Sequence, residues 1–228
     1  MKANDQVKIN WKLIGVELKR VDKLFKAKPY GTLFIDRNYK KDLEWWILGR
    51  MRVIVNKTRA RFPRFAVAIE ENGEPDFYIS KNGKTKFKKI EVTEVLKPGR
   101  KRSDEYKGKK TDKNNKQNIW ATFHERLEEK FKKDFGKNVW LIIYHNIRYV
   151  EITPDGVWHN TILAKMKNVD FSKSKYEKIF VINSGGKAAV SIYPVRYIVY
   201  PELKRSQTLL GRLFIRDYNK LTDYLINN

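Results

Sequence analysis

A chain of 228 residues with 41% hydrophobic and 13% aromatic residues is long enough, and apolar enough, for one large domain or a core with an appended subdomain, which excludes disorder as a description of most of its length. The absence of cysteine excludes disulfide frameworks, thiol catalysis and cysteine-ligated zinc, and the three histidines, His124, His145 and His159, are too few and scattered for a zinc site. Forty-nine Lys and Arg against 26 acids give a net charge of +23, an excess spread along the whole chain. Such a surface draws polyanions through its field and by releasing counterions from phosphates.

The first forty residues read as an N-terminal extension with a helix around 16–25 and a turn at 28–31. A helix is expected over 40–60, then a strand in the apolar run 65–70, closed by the turn 71–75. A second short strand at 76–80, a tight turn at 81–84 and a third strand at 87–96 follow. Residues 97–118 hold nine Lys or Arg against three acids and hardly any apolar side chain. This segment reads as a solvated loop that orders on phosphates, with Lys97, Arg100, Lys101, Arg102, Lys107, Lys109 and Lys110 as its contacts. A helix over 119–135 stopped at Gly136 leads into 138–145, whose continuous apolar run suggests a strand buried on both faces. Strands are expected at 148–153, 157–164, 179–183 and 188–193, the last two forming a hairpin, with a terminal helix at 216–226. The expected fold class is α/β. Its divisions are 1–39 as extension, 40–146 as core and 147–228 as a β-rich region packed on that core.

Three places set charge against the core. On a helical wheel Glu44 falls within the apolar stripe of Leu43, Ile47, Leu48, Met51, Ile54 and Val55, where a carboxylate is costly unless paired. A solvated acid at the first turn, favoured by the helix dipole, is the competing reading. In the third strand Glu91 and Thr93 share one face with Val95, and antiparallel pairing would bring Asp76 to the Glu91 side. Two carboxylates held together repel, and a bound Mg²⁺ (or Mn²⁺) relieves them. Lys130 projects onto the face of the second helix that carries Phe123 and Leu127, whereas Lys132 and Lys133 point away.

Pro75-Asp76, a 14-residue gap and Glu91-Val92-Thr93, within the order helix, three strands, helix, strand, resemble the PD-(D/E)xK nuclease superfamily. The resemblance covers about residues 40–145 and implies a restriction-endonuclease-like core. It also implies that Asp76 and Glu91 hold Mg²⁺, that the carbonyl of Val92 can add a ligand, and that Glu44 joins them. The departure is Thr93, which stands where the family carries lysine. Either Lys130, or failing that Lys89, delivers the ammonium, or the site is inactive.

The function implied is a Mg²⁺-dependent DNA endonuclease hydrolysing phosphodiester bonds, with Asp76, Glu91, Lys130 and Glu44 as its catalytic and metal-holding residues. Many such nucleases cut both strands as homodimers. RNA is the other polyanion the charge admits. The alternatives are a non-catalytic nucleic-acid-binding protein, stacking bases on Tyr144, Tyr149 or Trp158, and a structural component of a nucleoprotein assembly. With no apolar run of membrane-spanning length, the chain is expected to need no membrane and to be intracellular, cytoplasmic or nucleoid-associated.

Overall fold

The computed structural model describes residues 9–28, 36–56, 61–70, 74–95, 119–145, 166, 169–183, 189–193 and 198–199. The basic segment 97–118, with Lys97, Arg100, Lys101, Arg102, Lys107, Lys109 and Lys110, lies outside them. So do the strands expected at 148–153 and 157–164, the helix expected at 216–226, Tyr149 and Trp158.

The chain enters through a two-residue strand, β1 (Lys12–Leu13), which runs straight into helix α1 (Ile14–Ala27). A short 3-10 turn at Arg37–Tyr39 leads to α2 (Lys40–Asn56). The strands β2 (Phe65–Ala68), β3 (Phe77–Ser80) and β4 (Lys88–Val95) form an antiparallel meander. Helix α3 (Ile119–Phe131) then carries the chain to β5 (Val139–His145), parallel to β4. A second parallel step gives β6 (Lys178–Asn183), and β7 (Ala189–Tyr193) and β8 (Ile198–Val199) return antiparallel. The eight strands make one mixed sheet in sequence order.

Alternation along β4, β5 and β6 sorts their side chains onto two covered faces, as the period of two requires. Ile90, Val92, Trp140, Ile142, Tyr144 and Ile182 belong to the core built on α1 and α2, with Leu18, Val21, Ile47, Leu48 and Met51. Val95, Leu141, Ile143 and Val181 belong to the core under α3, with Phe123 and Leu127. Because helices cover both faces, β5 reads as a continuous apolar run, and residues 139–144 are all buried. Tyr144 sits edge-on to Trp46 inside this core and offers no exposed ring for a base.

The expected N-terminal extension is built into the same core. Leu18 and Val21 of α1 pack on α2, and a polar seam ties the two helices: Asp22 accepts from Trp46 Nε1 (3.2 Å) and Arg50 (2.8 Å), and Arg20 bridges Glu17 and Asp42 (2.7 and 2.6 Å). Likewise β6, β7 and β8 extend the central sheet rather than forming a layer of their own.

Helix α3 stops four residues short of its expected end. Lys133 N donates to the carbonyl of Lys130 (3.0 Å), tightening the last turn, and Gly136 lies at φ +75° with its N–H on the Asp134 carboxylate (2.9 Å). That early stop has a consequence for the site.

Candidate functional site

The pairing of β3 with β4 ends early. Only Phe77, Tyr78 and Ile79 pair with Ile90, Lys89 and Lys88, whereas β5 pairs with β4 from Lys89 to Val95. The outer edge of β4 beyond Ile90 is therefore left open by β3. Asp76 stands at the mouth of this notch: extending the register places it opposite Glu91, and its Oδ2 accepts the Val92 N–H at 2.7 Å. In an extended strand the N–H and C=O of one residue leave on the same side, so the Val92 carbonyl is aimed out of the same edge.

Around the notch lies a cleft of roughly 640 Å³. The α2 side supplies Lys40, Lys41 and Glu44, the sheet supplies Asp76, Glu91, Thr93 and Glu94, and α3 with its following turn supplies Arg126, Lys130 and Lys133. Asp76, Glu91, Lys130 and Glu44 thus line one cavity. Glu44 is buried rather than solvated, and Lys41 (2.8 Å) and Lys40 (3.5 Å) hold it. Glu91 and Thr93 lie on the face covered by α3, and from that helix the buried Lys130 ammonium bonds directly to Glu91 Oε1. Thr93 is buried and lines the cleft.

Lys133 corrects the helical-wheel reading. Its Nζ reaches Glu91 Oε1 at 3.5 Å, because α3 ends at Phe131 and the turn that follows does not keep the 100° step. Lys89, the second candidate for the displaced lysine, is engaged elsewhere: its Nζ donates to the Phe135 carbonyl (2.9 Å) and lies 3.7 Å from Glu74.

Burial pushes the Asp76 carboxyl up to about 7, and the charges of Glu44 and Glu91 add to that push. Lys41 and the Val92 N–H oppose it. Burial pulls the Lys130 ammonium down, against the attraction of Glu91 and Asp76. Tyr176 does not line the cleft, but it lies within range of the charges of Glu91 and Asp76, and patterning did not single it out. Its hydroxyl is buried without a hydrogen-bond partner among the described residues, and burial together with Glu91 and Asp76 raises its pKa. Its only sequence signal is an aromatic two residues before a strand, which is too common to pick out. Lys40 and Lys41 were findable, since they precede Glu44 by four and three residues and share its helical face.

The donor set is hard oxygen with no sulfur or imidazole among the lining residues. Among the described residues no group of three or more His, Cys, Asp or Glu side chains gathers closely enough to hold a metal unaided. Mg²⁺ asks for less: it is held by one or two carboxylates and keeps several waters. Asp76, Glu91 and the Val92 carbonyl are oxygens of that kind, and burial first, with the charges of Glu44 and Glu91 second, raises the Asp76 carboxyl. Comparison of the chain with protein-family models, curated proteins and solved structures returns no match. Among the described residues no helix is long and apolar enough to cross a membrane.

Proposed function

We propose that this chain is a Mg²⁺- or Mn²⁺-dependent endonuclease that hydrolyses phosphodiester bonds in DNA, built on a restriction-endonuclease-like core between residues 40 and 146. The observation that carries the reading is the meeting of Asp76, Glu91, Glu44 and Lys130 in one cleft, at an open strand edge between two helix-borne sets of cations. The order α2, β2, β3, β4, α3, β5 around that edge adds to it.

Asp76, Glu91 and the Val92 carbonyl would hold the ion, with Glu44 close enough to bond to its water shell. Bound there, a divalent cation supplies an activated water and neutralises charge gathering on the phosphate. The chain's own groups do the rest. Lys130 and Lys133 bracket Glu91, where an ammonium can orient the attacking water or neutralise a phosphate oxygen, so the cation missing at Thr93 arrives from α3. Arg126 lies on the same helix one turn earlier and can hold a neighbouring phosphate. Lys40 and Lys41 flank the opposite side. This is an acidic centre in a basic rim, which favours a polyanion as ligand while leaving a place for a metal inside.

The test is cleavage of supercoiled and branched DNA in Mg²⁺, beside EDTA and Asp76→Ala. Cutting that needs the metal and is lost in the variant is the expected result. Tight binding that survives EDTA with no scission on either substrate would replace the nuclease with a binding module, a reading favoured by the way Lys130 and Lys133 already neutralise Glu91.

A further inference from the structure

At the other end of α2 lies a second pocket of roughly 400 Å³, lined by Arg52, Asn56, Arg61, Phe62, Pro63, Arg64 and Lys81. Among the described residues it contains four cations and no acid. Among the described residues none of the four has a carboxylate partner, in a chain where Arg20, Arg50, Arg126 and most lysines of the cleft do. The Arg52 Nε is buried and has no hydrogen-bond acceptor among the described residues. A buried donor without an acceptor is costly, and its usual explanation is a group that the protein alone does not supply.

The pocket is held in shape by bonds that do not involve its charges. The Asn56 side chain accepts the Phe62 N–H at 2.9 Å, and the Arg64 carbonyl accepts the Ile14 N–H at 3.0 Å. These two bonds pin the segment carrying Arg61 and Arg64 over the end of α2. Lys81 rests its ammonium 4.3 Å above the Phe87 ring. Arg52 and Arg64 are close enough for the charge of Arg64 to add to the burial that lowers the Arg52 pKa. Like charges gathered this way raise the energy of the free protein, and an anion repays it.

We infer that this pocket binds a backbone phosphate of the nucleic acid whose scission is assigned to the cleft, as a second anchoring point on the same duplex. The inference rests on the DNA-binding half of that proposal. The spacing fits: Glu44 and Asn56 are twelve positions apart on α2, about 18 Å at 1.5 Å per residue. Asp76 and Lys81 flank the two ends of β3, five positions apart, about 17 Å. Both elements therefore put the pocket and the cleft at a similar separation, and a duplex with one charge per ~1.7 Å of axis presents phosphates across that span.

The experiment measures duplex binding in EDTA as a function of salt for the wild type, Arg52→Gln/Arg64→Gln, and Arg64→Gln/Lys81→Gln. The second pair uses the more exposed positions, so a folding defect at Arg52 does not blur the result. Each double variant is expected to lose about tenfold or more in affinity at low salt and about one unit of the log–log salt slope. Wild-type slope and affinity in both would overturn the inference. A parallel arm follows the thermal stability of wild type and variants with inorganic pyrophosphate. Stabilisation of the wild type alone, with duplex binding unaffected by the substitutions, assigns the pocket to a free phosphate and overturns the backbone assignment. DNA cutting with an unchanged salt slope removes the pocket and keeps the nuclease. A pocket-dependent slope without cutting does the reverse.

Discussion

Asp76 is held in a position where its charge works against the fold. It is half-buried, faces Glu44 and Glu91, and is tied to the Val92 N–H. Its folded pKa of about 7 lies above the ~3.9 of an unfolded aspartate, so between these values the native state keeps a proton that the unfolded chain has lost. The stability this contributes is complete below about pH 4 and disappears as pH rises through 7. Asp76→Asn keeps an oxygen for the Val92 N–H and removes the charge. In the absence of divalent ions it is expected to be more stable than wild type at pH 8, by up to about 4 kcal/mol, and no different at pH 4. Denaturant titrations at the two pH values check this, and a variant no more stable at pH 8 refutes the electrostatic picture of the cleft. At this scale the sequence was informative where alternation or a register could be applied: Asp76, Glu91 and Lys130 follow from strand and helix periods. It failed at Lys133, because its direction depends on where α3 ends, and at Tyr176, which comes within range of the carboxylate charges through tertiary packing that no local pattern encodes.

Two elements position the site, one through a close contact and one through an unpaired edge. Helix α2 can carry Glu44 to the cleft because α1 lies directly on it, with Gly49 at the crossing. A Cβ on Gly49 would stand 2.7 Å from Leu18 Cβ, too near for any real pair of carbons. Gly49→Ala must push α1 from α2 and is expected to cost about 1–3 kcal/mol, lowering the melting temperature by several degrees. A thermal scan unchanged from wild type would mean that the helices are not pressed together at this point. The glycine was visible in the sequence as the one interruption of an otherwise regular helix, but its purpose was not, since it depends on α1. The second element is β4. Its eight residues exceed what β3 can pair, and the surplus edge is the notch. That mismatch was foreshadowed by the short run ending at Ser80 beside the longer one ending near Val95, whereas the parallel pairing of β4, β5 and β6 was not, because it joins segments distant in sequence.

At the scale of the whole molecule, one eight-stranded sheet covered by helices fixes two charged hollows at opposite ends of α2 and β3, one mixed in charge and one purely cationic. The class α/β and the order of elements from α2 to β5 were legible because hydrophobic periodicity and turn residues are local signals. The apolar stripe of α1 acquires its partner only once α2 is folded against it. The net charge of +23 points to a polyanion as the expected ligand, but charge alone is silent on chemistry. The account therefore turns on whether the acidic centre takes up a metal. Calorimetric titration of Mn²⁺ into the wild type, Asp76→Asn and Glu91→Gln at pH 8 measures this directly. Binding by the wild type that is weakened at least about tenfold in each variant is the predicted result. No Mn²⁺ uptake by the wild type, or equal uptake by all three proteins, would contradict it.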